Sequence, residues 1–307
     1  MARAATWLSF TAIALLLALL GAHALALPVP LLSGKIARIE LPRAIAYDLP
    51  PVAGAGNADW PLVMIDPGHG GFDYGARAPG YEEKDLTLAL ALALREQLLA
   101  EGGVRVAMTR SDDRFVALGE RAEAARRVGA GLLLSIHADS AGSENARAGE
   151  IGGASIYTLS ARASDAAARR FAARENAAAG VNGQALSGQS AAVSAILVDL
   201  SQRRTQAQSE RFADLIEREG RGRLAFLSAP RRSAALEVLR APDVPSVLFE
   251  SGYITNPRDA ARLSSAPGRA EFARALARAI RLYFAGERLG AGERDAQTPI
   301  ASSGSAP

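Results

Sequence analysis

Apolar and polar positions along the chain alternate in a way that predicts short buried strands separated by amphipathic helices. Val63-Met64-Ile65 is a buried strand that runs into Asp66-Pro67 and then Gly68-His69-Gly70-Gly71, where a central strand cannot continue and the backbone can turn. Glu83 to Ala100 carries Leu86, Leu90, Leu94 and Leu98 at helical spacing, behind an acidic start that suits the positive end of the helix dipole. Val104 to Thr109 reads as a strand, Leu118 to Val128 as an Ala-rich helix, Leu132 to Ile136 as a second buried strand and Gly152 to Leu159 as another. This rhythm predicts an α/β fold: a single domain with a mainly parallel twisted sheet flanked by helices.

The rhythm then breaks. Ser160 to Ala229 predicts a helical insertion of two Ala-rich helices, Ser164 to Ala179 and Ala191 to Glu219, split by Gly180-Val181-Asn182-Gly183 and Ser187-Gly188. The first has little beyond alanine and Phe171 to bury, which predicts weak anchoring. Strands are expected again at Ala235 to Leu239 and Val244 to Phe249, followed by a closing helix from Glu271 to Phe284. The expected domain is residues 59–287, with a polar, disordered tail over 288–307.

The amino-terminal end has a different character. Arg3 is the one charge before an uncharged apolar stretch from Trp7 to Leu20, and Ala22-His23-Ala24 and Ala24-Leu25-Ala26 offer small residues for cleavage, so residues 1–26 read as an export signal and the protein as periplasmic. An uncleaved membrane anchor is the competing reading, because Trp7 to Leu27 is about long enough to span a bilayer. Residues 27–58, rich in Pro, Ala and Gly, read as a linker. Of 307 residues 49% are apolar, enough for a sizeable core, and the net charge of +3 falls to +2 without Arg3. No basic patch is interleaved with aromatics, which argues against nucleic-acid binding.

Removing residues 1–26 leaves two histidines, His69 and His137, each following a buried strand, and the chain has no cysteine. Two strand-end histidines without cysteine point to a metal site completed by a carboxylate. Spacing does not decide between Glu82 and Glu83 for that carboxylate, and dipole compensation accounts for either. Gly68-His69-Gly70-Gly71 lacks the spacing and the Lys-Ser/Thr pair of a phosphate-binding loop.

Several separate stretches, taken together, carry a resemblance. They are Asp66-Pro67-Gly68-His69-Gly70-Gly71, Glu83-Lys84-Asp85, Thr109-Arg110, Ser135-Ile136-His137-Ala138-Asp139, Val238-Leu239-Arg240-Ala241-Pro242 and Pro245-Ser246-Val247-Leu248-Phe249-Glu250. In order and over roughly residues 60–285, the chain resembles the zinc-dependent N-acetylmuramoyl-L-alanine amidases that cut septal peptidoglycan during cell separation, which have a zinc exopeptidase-like fold. The resemblance implies one Zn2+ per chain held by His69, Glu83 and His137. It implies Glu250 as general base, and Lys84, Asp85, Arg110 and Asp139 in supporting roles. It further implies that Glu175, in Arg174-Glu175-Asn176, reaches the open metal position from the insertion and makes the enzyme autoinhibited. The implied partners are peptidoglycan and a division-associated activator with a degenerate metallopeptidase-like domain, docking on the second inserted helix around Ala191 to Arg211; a monomer is expected. A zinc carboxypeptidase acting on stem peptides and a non-catalytic wall-binding protein are the alternatives.

Overall fold

The computed structural model describes residues 49–54, 57–141, 149–177 and 194–297, with side chains left aside at 194–202 and 290–297. The expected export signal, the first part of the linker and residues 298–307 lie outside the described residues, as do the loop and helix ends over 178–193. Among the described residues no helix is long and apolar enough to cross a membrane.

Among the described residues six strands, β1 (Leu62–Pro67), β4 (Arg105–Met108), β5 (Leu132–Asp139), β6 (Ala154–Leu159), β7 (Phe226–Ala234) and β8 (Ser246–Tyr253), form one sheet in the order β4-β1-β5-β8-β6-β7. The pairs β1·β4, β1·β5 and β5·β8 are parallel, β6 runs antiparallel to β8, and β7 is parallel to β6. A two-stranded hairpin, β2 (Arg77–Ala78) with β3 (Tyr81–Glu82), precedes α1 (Glu83–Glu101). The other helices are α2 (Leu118–Arg127), α3 (Ala166–Ala177), α4 (Ser194–Gly220), α5 (Pro257–Ser264) and α6 (Ala266–Gln297).

Strand side chains alternate between two helical layers. Val63, Ile65, Leu132, Leu134, Val247 and Phe249 share one apolar cluster with α1, α4 and α6, whereas Tyr157 and Leu248 share another with α3. Leu90, Leu94 and Leu98 of α1 are wholly buried, as the four-residue spacing predicts, and each such side chain contributes about 1.5–3 kcal/mol. The helix ends with Gly102 N–H donating to Leu98 O at 2.9 Å, after which the positive φ of 70° at Gly102 turns the chain out of the helix.

Three expectations are corrected. The strand expected at Ala235 to Leu239 is instead β7, and Glu237–Leu239 is a 3-10 turn. Val238 and Leu239 are buried from that turn, while β7 is an edge strand carrying Pro230, Arg231 and Arg232, so no apolar run marks it. Strand therefore enters the stretch expected to be helical at Phe226. The closing helix runs from Ala266 to Gln297, past the expected Phe284 and through half of the tail expected to be disordered. Each helical glycine costs about 1 kcal/mol, but Glu287 is tied to Gln208 and Arg211, which holds the helix to α4 beyond Gly286. At the other end Ala53, within the expected linker, pairs with Val106 on the free edge of β4.

Candidate metal centre

The first histidine is delivered by a strained loop. β1 is fully buried and ends at Pro67, after which His69 adopts φ 60°, an uncommon conformation for a residue with a side chain. Two buried arginines hold this loop from behind. Arg121 of α2 donates to Pro67 O at 2.8 Å and His69 O at 2.9 Å, and its charge is met by Asp66 at 2.8 Å. Arg110 donates to Pro67 O, Gly68 O and Lys84 O at 3.0, 2.7 and 2.9 Å. Burial, with the neighbouring Arg121 charge, pulls the Arg110 guanidinium down to about 10. Lys84 is a strut of the same kind, donating to Gly71 O at 3.0 Å and to Asp113 at 2.7 Å.

His69, Glu83 and His137 come together as the resemblance implies. Glu83 opens α1, and its carboxylate lies 3.2 Å from His69 Nε2 and 3.0 Å from His137 Nδ1. It also accepts from Ala76 N–H at 2.7 Å and Ala138 N–H at 2.9 Å, which aims it inward, whereas Glu82 turns outward to Arg77. Burial pushes the Glu83 carboxyl up, yet the two histidines outweigh burial and hold it well below the usual carboxylate range. His69 is moved the opposite way: burial pulls it down, and Glu83 with Asp73 raises it well above the usual imidazole value. Asp73 Oδ2 sits 3.0 Å from His69 Nδ1 and so orients the ring from the far side.

Close approach explains two glycines. A Cβ on Gly68 would stand 2.5 Å from His137 Nε2, and one on Gly75, at φ 67°, would stand 2.5 Å from His69 Cδ2 and 2.6 Å from Glu83 Oε2. Neither position has room for any other residue.

Glu175 arrives from α3. Its Oε2 lies 3.5 Å from His69 Nε2 and 3.3 Å from His137 Nδ1, and possible ligand atoms of His69, His137 and Glu175 lie within 4.8 Å of one another. Arg174, one residue earlier, pairs with Asp139 at the end of β5. Burial raises the Asp139 carboxyl; Arg174 opposes this, Glu175 and Glu83 add to it, and the outcome is about 7. The helix is anchored by few apolar contacts, as expected: Ala168, Phe171 and Ala172 are buried, and Phe171 stacks on Tyr157 at 4.5 Å. Polar ties that the sequence did not reveal add to these, since Asn176 bonds to Ala235 O at 2.7 Å and to Glu237 N at 2.9 Å.

Glu250 pairs in register with His137 across the β5·β8 ladder. Asp139 N–H donates to its Oε2 at 2.9 Å, while its Oε1 is buried with no hydrogen-bond partner among the described residues. Burial, then Asp139, Glu83 and Glu175, push its carboxyl well above the usual range. Asp85 shares the first turn of α1 with Glu83 and is exposed, away from the buried cluster.

Two imidazole nitrogens facing two carboxylates, with His69 Nε2 buried and lacking a hydrogen bond, form a donor set that fits a divalent cation. The mainly parallel α/β sheet, with this cluster gathered beside the carboxyl ends of β1 and β5, defines an α/β protein with a metal-type site. The chain belongs to the N-acetylmuramoyl-L-alanine amidase family, whose model matches residues 63–281. It is 38% identical over 225 residues to N-acetylmuramoyl-L-alanine amidase AmiA of Escherichia coli, covering 73% of this chain and 76% of that protein. It is 36% identical over 244 residues to AmiC of Neisseria meningitidis, covering 78% of this chain but only 57% of that longer protein. Among solved structures, AmiC2 of Nostoc punctiforme superposes with a TM-score of 0.50 at 27% identity, covering 75% of this chain and 99% of that one.

The residues that sequence reasoning missed are Arg121 and Asp73. Arg121 lies among exposed charges in an Ala-rich helix, and nothing in its neighbours marks it as buried. Asp73, four residues after His69 in a Gly-rich turn, was the more legible of the two.

Proposed function

We propose that this amidase is zinc-dependent and cleaves the amide between the lactyl group of N-acetylmuramic acid and the L-alanine of the stem peptide, in the periplasm, during cell separation. The observation that carries the reading is Glu83 within 3.2 Å of His69 Nε2 and 3.0 Å of His137 Nδ1, with Glu250 in register beside His137. His69, Glu83 and His137 would hold the ion, with Asp73 fixing the His69 ring. When bound, a Zn2+ ion lowers the pKa of water and polarises a carbonyl. Glu250 accepts a proton from the attacking water through its unpaired Oε1. The water oxygen adds to the lactyl carbonyl carbon, the carbon–nitrogen bond breaks, and Glu250 returns the proton to the leaving amine of L-alanine.

Glu175 lies 3.3–3.5 Å from both imidazoles, close enough to compete for the ion's open position, so on this reading the form with α3 in place is the restrained one. Activation then requires a partner that binds the open form more tightly. By resemblance that partner, a division-associated activator, would dock on the second inserted helix around Ala191 to Arg211. Metal analysis of the purified chain, combined with identification of products from isolated sacculi, tests the reading. Intact free stem peptides support it, and shortened stems still attached to sugar would mean a carboxypeptidase.

A further inference from the structure

The face of α6 turned away from the sheet differs from the rest of the surface. Arg274, Arg278, Arg281 and Arg288 recur at helical spacing and, with Arg223 from the turn after α4, line a depression of about 570 Å3. Arg278 is held by Glu219 at 2.5 Å and Arg281 by Glu101 at 2.6 Å. Arg223, Arg274 and Arg288 have no carboxylate at ion-pair distance among the described residues. For a chain whose net charge is only +3, this is a strong local concentration of cations.

Two leucines share the face. Leu282 is 37% and Leu289 73% exposed, two of five large apolar side chains exposed among the described residues. At about 100° per residue, the four α6 arginines and these leucines fall within an arc of roughly 120°, with the leucines along one edge. From Arg274 to Arg288 the face is about 21 Å long at the helical rise.

Guanidinium groups pair well with phosphate oxygens, and Arg223, Arg274 and Arg288 meet no carboxylate among the described residues. A soluble oxyanion would use the arginines and leave the leucines in water. A nucleic acid would call for aromatic platforms, and this face has none exposed. An interface of charged head groups over acyl chains uses both side-chain types at once, which is the pattern of a helix lying in a membrane surface.

We propose that this face of α6 seats the enzyme on an anionic phospholipid surface, with Arg223, Arg274 and Arg288 on lipid phosphates and Leu282 and Leu289 in the head-group layer. The layer of α1, α4 and α6 lies on the opposite face of the sheet from α3. A seated domain therefore keeps α3 on the side away from the lipid. Nothing in this inference depends on the chemistry of that site.

The test is co-sedimentation of the full chain with phosphatidylglycerol-containing vesicles across a salt series, beside the triple variant Arg223→Gln, Arg274→Gln, Arg288→Gln and the double variant Leu282→Asn, Leu289→Asn. All five positions are on the surface, and an unchanged melting midpoint confirms folding. Any contribution from the apolar stretch Trp7 to Leu20 is common to all three chains. The expected result is binding that weakens steeply with salt, a loss of about a hundredfold in the arginine variant, and weaker binding with the same salt dependence in the leucine variant. Equal affinities of wild type and arginine variant overturn the proposal, as does equal binding to purely zwitterionic vesicles. Displacement by millimolar inorganic phosphate would make the depression a soluble oxyanion site and would equally overturn it. Loss of binding to isolated sacculi in the arginine variant, with vesicle binding intact, would assign the face to the wall instead.

Discussion

Arg121 Nη1 lies 2.8 Å from Asp66 Oδ1, and neither side chain is more than 2% exposed. Asp66 also accepts from Thr109 at 2.6 Å and Ser135 at 2.7 Å, while Arg121 reaches the carbonyls of Pro67 and His69. One buried ion pair thus ties β1, β5, α2 and the residue that follows β4 to the loop that carries His69. Removing one partner leaves the other charge buried and unpaired, which costs about 3–5 kcal/mol. Arg121→Ala and Asp66→Asn should each lower the urea midpoint accordingly, and a change below about 1 kcal/mol would show that the pair is not a strut.

Acid should act through the same pair. Burial pushes the Asp66 carboxyl up, but Arg121, Thr109 and Ser135 outweigh it and hold the group below the usual carboxylate range. A depressed folded-state pKa contributes stability above the unfolded value, about 3.9, and that contribution is lost as pH falls through the folded-state pKa. The wild type is therefore expected to lose stability more steeply below about pH 4 than Asp66→Asn does. Parallel acid limbs in urea titrations of the two proteins would remove Asp66 from this role.

The ligand and base assignments separate by metal content. His69→Ala, His137→Ala and Glu83→Gln should lose both the bound ion and hydrolysis. Glu250→Gln should retain the ion and lose activity by about 10²- to 10⁴-fold, the usual worth of a general base. Metal loss in Glu250→Gln equal to that in the histidine variants would place Glu250 among the ligands.

Gly75→Ala adds a methyl where φ is 67° and where His69 Cδ2 would stand 2.5 Å away. The clash falls on the ring itself, so metal affinity should drop about 10- to 100-fold. The matching substitution at Gly80, where a Cβ meets nothing within 4 Å, is the control. Equal affinities in the two variants would mean that the ring can shift without consequence.

The strand-end histidines were legible because their strands are continuous apolar runs broken by Asp-Pro and Gly. The helical spacing of Leu86, Leu90, Leu94 and Leu98 likewise fixed α1. β7 was illegible for the opposite reason: an edge strand can carry Pro230 and paired arginines, so its pattern matches a loop. Arg121 shows a different limit, because burial of a charge depends on Asp66, 55 residues away, and no local pattern encodes that distance. The length of α6 depended on contacts of Glu287 with α4, which are equally non-local.

The strongest test of restraint by α3 lies away from the site. Glu175→Ala should raise the activity of the purified chain, but that variant also alters the donor set around His69 and His137. Phe171→Ala leaves the donors intact and removes the ring stacked on Tyr157 at 4.5 Å, the largest apolar anchor of α3. Truncating a buried Phe costs about 3–5 kcal/mol, and because α3 has few other apolar contacts, only Ala168 and Ala172 being buried beside it, the loss should appear as local release of this helix. If the closed form outnumbers the open one by about a hundredfold, release can raise activity by up to that factor. Phe171→Ala and Glu175→Ala are both expected to release stem peptides at least about tenfold faster than wild type without any partner. In Phe171→Ala, faster amide exchange should be confined to residues 166–177. Faster exchange there with an unchanged rate of hydrolysis would mean that α3 covers the site without restraining it.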